Sequence, residues 1–475
     1  MKLVEKSTPP DQPQKWRLVE DSSFPHKILA DGTRSVNEDL DPDDFPAPFY
    51  SFTNIQDHFR SANLCPQVRF FTLDVADAFE AIDVEPRVRH CLVIHWRDLL
   101  YVRKVAPFGL RTTPGLFCQL MACTIVVLEL HFAGRLRVVN AMDDCSIAVL
   151  DSSITEDAIV EFFEYLGWRI NKDKTQHLSR TSTFTGVIWN VDDLTMTVPS
   201  TKRDKYRRKV DAALALGRGG RIRLQQVESL VGSLQYLATI VPEARSYLRI
   251  LYRFRARYKI EHPNALRTLD DKEIRSLEWW RSFLSAEVIS SSFASPPPID
   301  PTVFASDASD TALGIYVRET GPQPRYPGPL VAQYRLPLGW KSDGRYIGNA
   351  EAWATEGLLE AAIRLGFRDT SLRFLCDSRN VVDAWAKGWS RNALLNLSIF
   401  RLLRLASLYR LAIVFDYIHT SLNPADEVSR GSSPSDSLLF PPDLFPDFPP
   451  GTHGGPDPFH PSTPFTDVAE ASLAD

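Results

Sequence analysis

The chain has 475 residues, too many for one hydrophobic core, so more than one domain is expected. Hydrophobic residues at 44% and charged residues at 24% are globular proportions, which exclude a disordered, collagenous or wholly membrane-embedded chain. A net charge of −5 excludes a uniformly basic nucleic-acid binder, and six cysteines with no C-x-x-C pair argue against a structural zinc site or a secreted disulfide framework.

In chain order, the N-terminus MKLVEKSTPPDQPQKW has no apolar run of the signal-peptide kind, which points to an intracellular protein of the cytoplasm or nucleus. Strand-like runs follow at VRFFTLDV (68–75), HCLVIHW (90–96), RLRVVNAM (135–142) and CSIAVL (145–150). The apolar stretch 116–132 is broken by Gln119, Glu129 and His131, so it reads as a buried helix and no membrane partner is expected. Asp74 closes the first strand, where a carboxylate faces a cleft rather than the core. Asp143 and Asp144 stand side by side between two strand runs. A two-residue hairpin turn favours Asn-Gly or Asp-Gly instead. Two carboxylates about 4 Å apart repel by roughly 4 kcal/mol at an effective dielectric near 20, and a divalent cation is the simplest offset.

From 201 to about 290 the pattern turns helical, with Leu224, Val227, Leu230, Val231, Leu234 and Leu237 at i, i+3, i+4 spacing. Residues 201–260 carry 15 Lys and Arg against 4 Asp and Glu, whereas 431–475 carry 7 acidic residues and no Lys or Arg. Such asymmetry lets one part of an acidic chain bind phosphate backbones. ASPPPIDP (294–301) reads as a linker. Beyond it the pattern predicts a β-β-β-α-β-α-α-β-α order. It places Asp307 in the first strand, Glu351 in the first turn of a helix, Asp377 at a strand end, and Asp426 in a last helix capped by Asn423 with Pro424 following. The last 45 residues hold 10 prolines and read as a flexible, disordered tail.

LDVADAF, APFGLRTTPGLF, AMDD, YLGWRINKDKTQ and FTGVIWN follow in the order found in retroelement reverse transcriptases. KWRLVEDSSFPHKILADGTRSVNEDL resembles their fingers, and LQQVESLVGSLQYLATIVPEARSYL the segment after their palm. The closest texture is that of DIRS-like, tyrosine-recombinase retrotransposons of fungi. The resemblance implies a multidomain α/β and α+β fold. A right-hand polymerase would have fingers and palm over 1–200 and a thumb or connection over 201–293. After the 294–301 linker, a ribonuclease H-like mixed sheet would span 302–431, leaving 432–475 as the tail.

It further implies RNA-directed DNA synthesis from dNTPs on an RNA template and DNA primer, with cleavage of RNA in RNA–DNA hybrids. Asp74, Asp143 and Asp144 would hold two Mg²⁺ ions, and Asp307, Glu351, Asp377 and Asp426 two more, with Mn²⁺ as a substitute. Phe79 would lie beneath the incoming sugar, Arg17 would grip its triphosphate with Lys6 as a weaker companion, Pro107, Phe108 and Gly109 would line the nucleotide, and Lys174 would be the palm lysine. Ala141 departs from the family's aromatic at that place. That departure also fits a decayed or co-opted copy that binds nucleic acid without catalysis.

Overall fold

The computed structural model describes residues 2–5, 16–47, 50–61, 65–259, 264–336, 340, 346–441 and 444. They divide into two compact units, Met1–Thr197 with Ser292–Ala294, and Val198–Ser291 with Ser295–Asp475.

The first unit is built on an antiparallel sheet of β1 (Arg69–Asp74), β2 (Leu136–Ala141), β3 (Asp144–Val149) and β4 (Gln176–Ser179), in the order β2-β3-β1-β4. Helices α1 (Thr113–His131) and α2 (Glu156–Tyr165) cover one face. Alternation sends Phe71 and Leu73 of β1 and Cys145 and Ile147 of β3 to that face, where they meet Phe117, Met121, Ile125 and Leu128 of α1 and Ile159 and Phe163 of α2. On the other face Phe70 packs on Phe59, which stacks on Trp189 at 4.5 Å. By length and composition alone α1 could cross a membrane, and Leu120, Val126, Val127 and Leu130 on it are exposed.

The second unit opens with four helices, α3 (Ser200–Leu214), α4 (Leu224–Ile240), α5 (Arg245–Arg255) and α6 (Asp271–Leu284). Val227, Leu230, Val231, Leu234 and Leu237 are buried, as their spacing predicts, while Leu224 is half-buried. A mixed sheet follows, from β5 (Val303–Ala308), β6 (Ala312–Arg318), β7 (Leu330–Arg335), α7 (Ile347–Arg364), β8 (Ser371–Cys376), α8 (Arg379–Lys387), α9 (Ala393–Leu408), β9 (Ala412–Tyr417), α10 (Asp426–Ser429) and β10 (Leu438–Leu439). Its order is β9-β8-β5-β6-β7-β10; β5, β6 and β7 are antiparallel and the other pairings parallel. Ala350, Ala352, Ala354, Ala361 and Ala362 are buried on α7, and side chains this small let the helix lie close to the sheet and to α9.

Three sequence expectations need correction here. Residues 432–441 are ordered rather than part of a tail, because β10 pairs with β7 and Phe440 is buried; nearly all the rest of that expectation lies outside the described residues. The proline-rich segment is no free spacer: Ser371 donates its hydroxyl to the Pro297 carbonyl at 2.5 Å, and Asp300 N–H bonds the Ser371 carbonyl at 2.8 Å. Proline supplies no N–H, so the proline-rich segment docks at the start of β8 through a carbonyl and the few residues that retain a donor. Glu351 lies in the second turn of α7, which starts four residues earlier than Glu351 at Ile347.

Candidate active sites

Strand pairing brings the first three carboxylates together. Asp74 ends β1 directly opposite Asp144, the first residue of β3, and Val75 N–H bonds the Asp143 carbonyl at 2.8 Å. Ala141 pairs with Asp144, so the two-residue turn is Met142–Asp143 rather than the Asp pair. Met142 takes the positive φ, 58°, that such a turn demands. Asp143 therefore sits at the tip and Asp144 inside the strand, on backbones fixed by the sheet.

Asp74 is buried, and Lys174 Nζ donates to its Oδ1 at 2.7 Å while Asn171 Nδ2 donates to Oδ2 at 3.1 Å. Asn171 N–H also bonds the Asp74 carbonyl at 2.8 Å. Lys174 is thus tied to Asp74 although its side chain is 60% exposed, and that bond raises its pKa. Burial, then the Asp143 and Asp74 charges, push the Asp144 carboxyl from 3.8 up to about 6. Three oxygen donors crowded until one resists ionisation, with a single ammonium as offset, are a set that a hard divalent cation satisfies.

Around this cleft Phe79 is half-buried, its ring 4.9 Å from Phe108 and 5.8 Å from Phe117. Gly109 has φ 107°, and a Cβ there would meet the Glu20 carbonyl at 2.9 Å. Asn37, which the sequence reading missed, is buried and donates Nδ2 to the Gly109 carbonyl at 2.8 Å while accepting from Arg111 N–H at 3.0 Å. Glu20 accepts from Arg103 Nε at 2.8 Å, bracing the same loop. Arg17 lies on the strand Trp16–Val19, opposite Val4 of Lys2–Glu5. Lys6 is outside the described residues.

In the second unit Asp307 stands in β5, Asp377 just past β8, and Asp426 opens α10. Parallel pairing of β5 with β8 puts the first two on neighbouring strands, and α7 brings in Glu351. Ser429 donates its hydroxyl to Asp307 Oδ2, Thr420 donates to Asp377 Oδ2 at 2.7 Å, and Arg430 Nε bonds both Asp426 oxygens at 2.9 and 3.0 Å. Asn423 does not cap α10, whose N-cap is Ala425. Its Nδ2 instead donates to the Ser306 carbonyl at 3.0 Å and its Oδ1 accepts from Ala425 N–H at 3.1 Å, which pins the approach of α10 to β5.

Burial, then the Asp307 and Asp377 charges, push Glu351 from 4.5 up to about 9. Burial likewise pushes Asp307 to about 6, with Ser429 opposing and Asp377 and Asp426 adding. Glu351 Oε2 and Asp377 Oδ1 are buried without a hydrogen-bond partner. Buried acceptors that lack donors and repel one another are what a cation would complete, so these residues fit one.

Residues 4–189 match the family described as reverse transcriptase (RNA-dependent DNA polymerase). A comparison with curated proteins finds no match. Three solved structures of a foamy viral protease-reverse transcriptase are similar to the chain. One, in complex with an RNA/DNA hybrid, is 16% identical with a TM-score of 0.43; the "dRH" form with double-stranded DNA gives 14% and 0.41, and a further complex with double-stranded DNA 15% and 0.40. The matches cover 80%, 88% and 88% of this chain and 47%, 67% and 80% of those, so the chain spans about half the length of the first.

Proposed function

From the match of residues 4–189 to the reverse transcriptase family we propose that the chain is the RNA-directed DNA polymerase of a retrotransposon, with ribonuclease H activity in its second unit. The observation that carries the polymerase reading is the register of β1 against β3, which sets Asp74 opposite Asp144 and beside Asp143. Asp74 and Asp143, supported by Asp144, would hold the divalent cations, Mg²⁺ or Mn²⁺. When bound, these supply charge stabilisation to the attacking primer hydroxyl and the departing pyrophosphate. Lys174 holds the Asp74 carboxylate in place until then. Phe79 and Phe108 form an apolar floor for the nucleotide sugar, and Asn37 keeps the Phe108–Gly109 turn shaped. Arg17 would grip the triphosphate, a role that rests on its motif.

Asp307, Glu351, Asp377 and Asp426 would hold the cations of the nuclease centre, with Ser429, Thr420 and Arg430 orienting three of them. The basic stretch 201–260 suits the phosphates of an RNA–DNA hybrid, the shared substrate of both centres, through contacts that carry no sequence information.

The test is extension of oligo(dT) on poly(rA) with dTTP and Mg²⁺. The wild-type chain extends the primer, and Asp143→Asn falls to the level of a reaction without enzyme. Wild-type inactivity with intact duplex binding would sink the polymerase reading and select a nucleic-acid-binding copy without catalysis.

A further inference from the structure

We propose that Glu351, Cys376 and Asp377 form a mixed sulfur–oxygen site for a borderline-soft divalent cation of the zinc class, which competes with magnesium for two carboxylates of the second unit. The consequence for cleavage rests on the ribonuclease H reading; the geometry does not. Cys376 ends β8 with its side chain fully buried beneath α7, and Asp377 follows it. One ligand atom from each of the three residues lies within 4.8 Å of the other two, and no other such trio occurs among the described residues.

Independently of the thiol, Glu351 is 7% exposed and its Oε2 has no partner, as is true of Asp377 Oδ1. Contacts around the trio include Ser378 N–H to Cys376 Sγ at 3.4 Å, Cys376 Sγ to the Ser378 carbonyl at 4.0 Å, the Ala308 backbone to Glu351, and Thr420 Oγ1 to Asp377 Oδ2 at 2.7 Å. Three protein ligands with a fourth position left to water is a set that zinc accepts. Magnesium takes oxygen and leaves a thiol alone, whereas zinc, cobalt(II) and cadmium take sulfur readily. The sulfur therefore discriminates between cations where the carboxylates cannot. Binding forms the metal–thiolate bond and releases the thiol proton to solvent. A cation held this way removes Glu351 and Asp377 from the set of four, so zinc inhibits cleavage that magnesium supports.

The experiment uses the full chain and titrates it with Co²⁺. A thiolate-to-cobalt charge-transfer band in the near ultraviolet is expected, is bleached by Zn²⁺, and is absent from Cys376→Ser, although five other cysteines remain. Competition with a chromophoric chelator should show Zn²⁺ binding weakened by more than about tenfold in that variant, the lower end of what outer-shell changes alone cost. If Cys376→Ser fails to fold by circular dichroism, Glu351→Gln takes its place and must weaken the wild-type band.

No band in the wild-type chain, or an unchanged band in a folded Cys376→Ser, overturns the proposal. Mg²⁺-dependent hybrid cleavage on the same preparation is read separately. Cleavage without the band overturns the thiol site alone, and the band without cleavage leaves the site standing while the nuclease reading falls.

Discussion

Asn37 fixes both sides of the Gly109 turn with one buried amide, giving a hydrogen bond to the Gly109 carbonyl and taking one from Arg111 N–H. Asn37→Ala strands that carbonyl and that amide. Losing such buried partners costs about 1–3 kcal/mol, so a lower Tm and a raised KM for dNTP with a smaller change in kcat are expected. A variant with unchanged KM would separate the turn from nucleotide binding. Glu351 gives a pH prediction with a definite sign. Its folded pKa, about 9, lies above the 4.5 of the free group, so the folded chain binds the extra proton. Without divalent cations that stability is fully present below about pH 4.5 and is lost as pH rises toward 9; Glu351→Gln should flatten the decline in metal-free Tm. Residues of this kind differ in how legible they are. Asp74, Asp143 and Asp144 stand out in sequence because each interrupts an apolar strand pattern. Asn37, Asn171 and Ser429 do not, because their bonds reach partners 72, 97 and 122 positions away. Nothing local in a chain marks such an asparagine or serine.

Between Val303 and Ser429 the elements of the second unit follow the alternation of strand and helix patterns closely, and their predicted order is the observed one; β10 lies beyond it. What pattern could not give is how tightly α10 meets the sheet. Gly314 of β6 faces Asp307, and a Cβ there would lie 2.5 Å from Ser429 N and 2.7 Å from the Ala425 carbonyl, both backbone atoms of the α10 segment. Gly314→Ala must lift that short helix, drawing the Ser429 hydroxyl off Asp307 and moving Asp426. Overpacking of this kind costs about 1–3 kcal/mol. Hybrid cleavage should be lost while primer extension on the same preparation persists, since the two centres lie in different units; equal loss of both would point to general unfolding. The hairpin between β2 and β3 shows the opposite limit of pattern. Alternation located the turn to within one residue, but only backbone φ reveals that Met142, a residue without turn propensity, carries the left-handed position.

At the scale of the whole chain, the proline-rich segment suggested a boundary between a helical part and a nuclease-like part, yet the two belong to one compact unit. Their shared packing explains why. Tyr247 of α5 stacks on Trp279 of α6 at 3.7 Å and meets Phe400 of α9 edge-on at 4.7 Å, an aromatic core contributed from both sides of the prolines. Around it, Ser246 donates to the Gly388 carbonyl at 3.2 Å and Asn396 donates to the Ser246 carbonyl at 3.2 Å, both buried. An interface that is apolar at its centre and crossed by buried hydrogen bonds does not open without exposing what holds each side together. A fragment of residues 198–441 should therefore fold alone and unfold in one step. Tryptophan fluorescence and far-ultraviolet circular dichroism would then give the same urea midpoint. Tryptophans lie on both sides, at 279 and 280 and at 340, 353, 385 and 389, so fluorescence samples both parts of the unit. Trp279→Ala removes the stacked ring at the shared core. It should lower the common midpoint by about 3–5 kcal/mol of stability without splitting the transition. Two separated midpoints in the unmodified fragment would mean that the helical and nuclease-like parts fold independently and that the aromatic contact contributes little.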